Sequence, residues 1–137
     1  MSRPTKPPLA QDLVEEIVKA AHRDLDRVKE LLAQEPALAN ACWDRGGGDW
    51  ETPLGGAAHT GQQAIARYLL SQGARMDIFC AAMLGQSAAV QALLTAEPAA
   101  AQSRGPHGIG LAAHARAGGH EDLAAWIEAF AEEAGSQ

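Results

Sequence analysis

The stretch "TPLGGAAHTGQQAIARYLLSQGA", residues 52–74, determines the expected fold of this chain. Thr52 is a typical N-cap residue, and Pro53 follows at the first helical position, where its missing N–H costs nothing. Gly61 interrupts the helical pattern, and Gly73 is a typical residue to end a second helix. The stretch therefore predicts two short antiparallel helices joined by a tight turn.

Similar helix pairs recur on both sides of this stretch. "QDLVEEIVKAAHR" and "LDRVKELLAQE" precede it, with Asp24 as the expected cap between them. A third pair begins at Asp77 and breaks at Gly85, and "HGIGLAAHARAGGHEDLAAWIEAFAEEA" is the fourth. A pair of short helices cannot bury its apolar face alone, so the repetition predicts a solenoid of about four stacked pairs.

Composition and charge agree with a helical stack and exclude several functions. Hydrophobic residues make up 47% of the chain but aromatic residues only 4%, and alanine and leucine suit closely packed helices. The formal net charge is -6 and the basic residues are dispersed, so the chain lacks the basic cluster that nucleic-acid binding requires. We therefore expect no nucleic-acid partner.

The sequence also indicates where the protein works. "MSRPTKPPLAQ" has no apolar core of the length that a signal peptide needs, and no stretch approaches the roughly 20 apolar residues of a membrane span. Cys42 and Cys80 lack the spacing of a zinc site or of a disulfide scaffold. We expect a cytoplasmic protein without a membrane partner.

The stretch at 52–74 resembles an ankyrin repeat, whose pattern is T-P-L-H-x-A-A-x-x-G-x-x-x-[IV]-x-x-x-L-L-x-x-G-A. The residues that match are Thr52, Pro53, Leu54, Ala57, Ala58, Gly61, Ile65, Leu69, Leu70, Gly73 and Ala74. The other three units match only the Ala-Ala, Gly and Leu-Leu skeleton. The resemblance implies an all-α, ankyrin-type solenoid over residues 11–134, with a disordered lead-in at 1–10 and a tail at 135–137.

The departures from the pattern concern the β-hairpin-like loops, or fingers, that join successive ankyrin units. Ile17 to Leu54 spans 37 residues, which places extra residues in the first finger at "WDRGGGDW". Leu54 to Ile78 spans only 24 residues, which predicts that the second finger is missing or vestigial. Gly55 also replaces the histidine of the pattern.

The resemblance implies a module that presents a concave face to a protein partner. Fingers and first helices form this face, and the residues after each Ala-Ala pair point into it. The gap at the second junction should expose Asp77, Phe79, Cys80 and Met83 at the floor of a cleft. The expected binding residues are Trp43, Trp50, His22, Arg23, His59, Phe79, Met83, Arg104 and Arg116.

A small-molecule or catalytic pocket on the same face is the alternative, although the resemblance favours a protein that is not an enzyme. Its candidate acids and bases are Asp44, Asp49, Glu51, His59 and His107. Trp43 and Trp50 either line the cleft or cover the glycine loop. His114 and Trp126 are expected to be structural, and the carboxylates are expected to lie mostly on solvated faces. Histidines and acids show no metal-ligand spacing, so we expect neither a metal ion nor a cofactor.

Overall fold

The computed structural model describes residues 6–135 and is mostly helical. It consists of four helix pairs, and the helices begin and end as follows: α1 Gln11–Ala20, α2 Leu25–Gln34, α3 Pro53–His59, α4 Gln63–Ser71, α5 Ile78–Met83, α6 Ser87–Ala96, α7 Leu111–Ala117 and α8 Glu121–Gly135. Three 3-10 turns connect them, at Pro36–Asn40, Pro98–Gln102 and Pro106–Gly108. The all-α class predicted from the sequence is confirmed.

Three of the predicted helix caps form hydrogen bonds. The side chains of Asp24, Thr52 and Asp77 accept from the backbone N–H groups of residues 27, 55 and 80, respectively. Each bond satisfies one of the N–H groups that a helix start leaves without a partner. Lead-in residues 1–5 and tail residues 136–137 lie outside the described part of the chain, and Leu9 of the lead-in packs against the core.

The loops that connect successive helix pairs differ in length and in strand content, as the sequence predicted. In the first finger, residues 43–51, strands β1 (Trp43–Asp44) and β2 (Trp50–Glu51) pair in antiparallel register, Trp43 opposite Glu51. Residues 74–77, at the second junction, contain no strand. The last finger, residues 104–110, is closed by one antiparallel bridge between Arg104 and Gly110.

The first helices of the pairs pack in sequence, α1 on α3, α3 on α5 and α5 on α7. In addition, α3 contacts α7, although a whole helix pair separates them in the chain. A repeat in a regular linear stack contacts only its neighbours. The extra contact depends on small residues, because a Cβ at Gly61 would lie 2.3 Å from the carbonyl oxygen of Ala117.

Apolar side chains form two buried clusters, and α5 contributes to both. Cys80 and Met83 belong to the cluster formed with the first two helix pairs. Ala81 and Ala82 belong to the cluster formed with the last helix pair and α6. None of the helices in residues 6–135 is long and apolar enough to cross a bilayer.

Candidate functional site

A fully buried carboxylate lies at the end of the first finger. The side chain of Glu51 has no exposed surface, whereas its neighbour Trp50 is 59% exposed. Successive residues of a strand point to opposite sides, so the outward direction of Trp50 turns Glu51 inward. The expectation that the carboxylates are solvated is wrong for Glu51, and this strand alternation is the signal that could have located it.

Both oxygen atoms of Glu51 have basic neighbours. Oε2 lies 2.9 Å from Nε2 of His59 and 3.2 Å from Nε2 of His22. Oε1 accepts a hydrogen bond from Nε of Arg45 at 2.9 Å and lies 3.3 Å from Nε2 of His107. We call His22, Glu51, His59 and His107 the Glu51 cluster.

The first and second helix pairs supply two of the histidines. His22 follows α1, and its Nδ1 donates to the carbonyl oxygen of Val18 at 2.7 Å. His59 is the last residue of α3, and its Nε2 lies 3.0 Å from Nε2 of His22. Gly56 makes room for this arrangement, because a Cβ there would lie 2.9 Å from the ring of His22.

His107 reaches the cluster from the last finger. Its backbone φ is +62°, a left-handed conformation that is uncommon outside glycine. Asp49 of the first finger holds it in place: Oδ1 accepts from the backbone N–H of His107 at 2.8 Å, and Oδ2 lies 3.3 Å from Nδ1. The first and last fingers therefore contact each other through Asp49 and His107.

Glu51 and its neighbouring histidines stabilise each other's charged forms. Burial alone would raise the pKa of Glu51, but hydrogen bonds with His22 and His59, with the nearby positive charge of protonated histidines, hold it well below its usual range. The hydrogen bond to Glu51 raises the pKa of His22 against the opposing effect of burial. Glu51 is therefore ionised at neutral pH, and its carboxylate stabilises the protonated form of His22 relative to the neutral form.

The side-chain atoms of the cluster are also close enough together to hold one metal ion. One nitrogen from each of the three histidines and one carboxylate oxygen all lie within 4.8 Å of one another. The expectation of no metal ion was based on the absence of a spacing motif, and it stays a prediction. The four ligands come from positions 22, 51, 59 and 107, and no local spacing motif joins residues so far apart in the chain.

The two tryptophans of the first finger have different environments. Trp43 is half-buried and packs against the core, with the guanidinium of Arg45 over its ring at 3.9 Å from the centroid. Trp50 is mostly exposed. Trp43 therefore covers the finger, and Trp50 lines a cleft.

This cleft, of about 90 Å³, lies between the first and last fingers. Its lining includes Asp49, Trp50, Asp77, Phe79, Arg104 and Pro106. The expectation that Met83 and Cys80 are exposed at its floor is wrong, because both are fully buried. Burial raises the pKa of the Cys80 thiol to about 12.

The remaining predicted site residues lie outside the Glu51 cluster. Asp44 accepts a hydrogen bond from the backbone N–H of Gly46. Arg116 pairs with Glu121 and Glu128 of its own helix pair. Arg23 is exposed beside His22.

His114 is fully buried, in line with its expected structural role. Its Nδ1 donates to the carbonyl oxygen of Gly110 at 2.8 Å, and its ring packs against Phe79 with centroids 4.8 Å apart. Nε2 makes no hydrogen bond within the described residues. Burial lowers the pKa of His114.

A scan against protein-family models returns no match for this chain, and a search of curated proteins returns none either. The resemblance to ankyrin repeats therefore depends on the residue pattern at 52–74 and on the register of the weaker units.

Proposed function

We propose that the chain is an ankyrin-type binding module that holds an extended segment of a partner protein in a groove beside Trp50. The ankyrin assignment is supported by the residue pattern of 52–74, by the four helix pairs, and by the hairpin at the first junction. The missing second finger determines where the partner binds.

The groove lies beside the first finger, at the short second junction. Its volume is about 320 Å³, within the range of ligand-binding clefts. We call it the Trp50 groove, and it is lined by Ala39, Asn40, Cys42, Trp50, Thr52, Leu54, Arg75, Met76 and Asp77. In a regular repeat array the second finger would extend at this position, so an extended polypeptide has the matching shape.

The observation that carries the proposal is the exposure of two large apolar side chains in this one groove. Trp50 is 59% exposed and Met76 is 44% exposed, and both line it. Tryptophan is enriched among the residues that dominate binding energy, and methionine adapts to partners of varied shape. Arg75 and Asp77 add one positive and one negative charge to the lining of the groove. We therefore expect the bound segment of the partner to have an apolar residue between polar ones.

The experiment is a selection of random peptides on the wild-type chain, followed by affinity measurements on variants. We expect the selected peptides to bind Trp50→Ala at least about thirtyfold more weakly, since an aromatic anchor contributes roughly 2 kcal/mol or more. Met76→Ala should weaken binding less. Leu93→Ala is the matched control, because Leu93 is 49% exposed but lies outside the groove.

Two results would contradict the proposal. One is the absence of any enriched peptide. The other is a set of peptides that bind Trp50→Ala and Leu93→Ala with equal affinity.

Binding of a small ligand at the Glu51 cluster is a second candidate function, and a separate observation supports it. Glu51, His59 and His107 were chosen from the sequence as acids and bases for this alternative. The carboxylate of Glu51 lies 2.9 Å from Nε2 of His59 and 3.3 Å from Nε2 of His107. The histidine nitrogens and the carboxylate that meet in this cluster determine which class of ligand it suits.

A further inference from the structure

We propose that the Glu51 cluster binds a divalent transition metal ion, with Nε2 of His22, His59 and His107 and one carboxylate oxygen of Glu51 as its ligands. This inference rests on the second candidate function, for which it names the ligand. It is independent of the Trp50 groove, which has no residue in common with the cluster.

Three of the four ligand atoms lie at distances close to those between the ligands of one metal ion. Zinc–nitrogen and zinc–oxygen bonds of about 2.0–2.2 Å in a tetrahedron place neighbouring ligand atoms roughly 3.3 Å apart. The observed separations are 2.9 Å and 3.2 Å from Glu51 Oε2 to His59 and His22, and 3.0 Å between those two nitrogens. These three atoms would need to move by only a few tenths of an ångström to bind one ion, whereas the full set of four, which spans up to 4.8 Å, would need to close further around it.

The hydrogen bond of His22 to the backbone leaves its other ring nitrogen, Nε2, available as a metal ligand. Nδ1 of His22 is 2.7 Å from the Val18 carbonyl oxygen, so this nitrogen carries a proton. A proton on Nε2 bonds the Glu51 carboxylate when no metal ion is bound, and loss of that proton leaves a lone pair that faces the carboxylate and Nε2 of His59. Electron pairs that converge at this distance require a proton or a cation between them, and a metal ion satisfies all of them at once.

The outer hydrogen bonds are those that metal-binding histidines usually make. A histidine that binds a metal typically donates its other ring N–H to a backbone carbonyl or a carboxylate, which fixes the orientation of the ring. Val18 provides the carbonyl for His22, and Asp49 provides the carboxylate near Nδ1 of His107. Arg45 holds Oε1 of Glu51, which leaves Oε2 as the oxygen directed at His22 and His59.

Burial and backbone strain also indicate a specific site. Glu51 is completely buried, and a buried charge is costly unless it is paired or binds a metal. His107 adopts its left-handed conformation in the segment that brings Nε2 to Glu51. Strained residues of this kind concentrate at functional sites.

The ligand set selects the type of metal. Three imidazole nitrogens and one carboxylate oxygen suit zinc, cobalt, nickel or copper, whereas magnesium and calcium prefer sites built from oxygen atoms. We therefore expect zinc and cobalt(II) to bind and magnesium and calcium not to compete.

The test is a titration of the full chain, freed of metal by a chelator, with cobalt(II) and then with zinc. Cobalt(II) in a tetrahedral site gives strong visible absorption bands that the hydrated ion lacks. We expect these bands to saturate at one cobalt per chain, to disappear when zinc is added, and to persist in excess magnesium. Zinc should also raise the melting temperature.

Variants connect the signal to the cluster. His59→Gln should weaken cobalt binding by about a hundredfold or more, because it removes a ligand, and Asp49→Asn should weaken it by roughly 10- to 100-fold, because it removes an outer hydrogen bond. His120→Gln is the matched control, a histidine outside the cluster that should bind cobalt like the wild type. Circular dichroism of each variant separates a lost site from a lost fold.

Three outcomes would overturn the inference. Cobalt could retain the spectrum of the hydrated ion with the folded wild type. His59→Gln and His120→Gln could bind it equally well. The histidines could titrate in an NMR experiment with no change on addition of zinc, which would show a cluster that binds protons only. A Trp50→Ala chain that binds cobalt normally but no selected peptide would separate the two proposed functions.

Discussion

Glu51 has four basic neighbours, Arg45, His22, His59 and His107, around its buried carboxylate. Removing its charge would leave Arg45, His22 and His59 without the carboxylate that accepts from them. When a buried group loses its charged partner, the cost of removing that group from water is no longer offset, and the folded protein is less stable.

We expect Glu51→Gln to lower the free energy of unfolding by about 2 kcal/mol in metal-free protein. This is less than the roughly 3–5 kcal/mol of a fully buried pair, because Arg45 and His22 are partly exposed and water can replace part of the interaction. Urea melts measure the difference. The control is Glu128→Gln, which removes an exposed partner of Arg116 and should leave the melt unchanged. Equal effects of the two substitutions would show that burial of Glu51 has no energetic consequence.

His114 provides a pH dependence of known sign. Burial holds its pKa below the value of 6.5 that it has when unfolded, so the unfolded chain binds the proton more readily. The stability that neutral His114 contributes is therefore fully present above about pH 6.5 and is lost as the pH falls below it, by at most about 1.4 kcal/mol per pH unit. Phe79 and the Gly110 carbonyl contact the ring, and Asp77 and His59 are the titratable groups near it.

The measurement is a comparison of urea melts at pH 7.5 and 5.5 for the wild type and His114→Gln. Groups outside His114 titrate in both proteins, so their effects cancel in the difference. We expect the wild type to lose more stability than the variant on acidification. A variant that loses as much as the wild type would refute this assignment.

At the scale of single elements, the sequence was sufficient for the helices but not for the site. Caps at Asp24, Thr52 and Asp77 follow from local chemistry, because each side chain bonds a backbone N–H only three residues away. The Glu51 cluster joins residues up to 85 positions apart, from position 22 to position 107. Nothing in the local spacing encodes that contact, which depends on how the last finger folds back on the first.

Close approach of two elements makes Gly118 a sensitive position. A Cβ there would lie 1.8 Å from the carbonyl oxygen of Met83, at the end of α5. Gly118→Ala should therefore destabilise the chain by about 3 kcal/mol or more, since the clash is with backbone. Gly119→Ala is the control: its Cβ would meet open space, and only its left-handed φ of +83° costs energy, about 1–2 kcal/mol. Thermal melts that rank Gly119→Ala as the more damaging substitution would contradict this packing.

At the scale of the whole molecule, α5 joins two buried clusters that would otherwise be separate. A different tryptophan packs against each cluster, Trp43 against the first and Trp126 against the second. The contact between α3 and α7 adds a direct link between the second and fourth helix pairs. Register alone predicted pairs stacked on their neighbours. This link was missed because it depends on the close approach of Gly61 to the backbone of Ala117.

These links predict that the chain unfolds in one cooperative step. Two variants that each retain a single tryptophan, Trp43 or Trp126, would report on the two clusters separately. We expect their urea midpoints by fluorescence to agree within about 0.3 M, as a two-state domain requires, after correction for the stability of each variant by circular dichroism. Separate transitions would show that the halves unfold independently.

The contact between α3 and α7 also limits how such a protein can evolve. Arrays whose units touch only their neighbours gain or lose a unit by duplication or deletion without disturbing the others. A unit inserted between the second and fourth pairs of this chain would separate α3 from α7 and remove His107 from the histidines of the first two pairs. Insertion of a unit at this point is therefore disfavoured, so this part of the molecule changes more readily by substitution than by duplication.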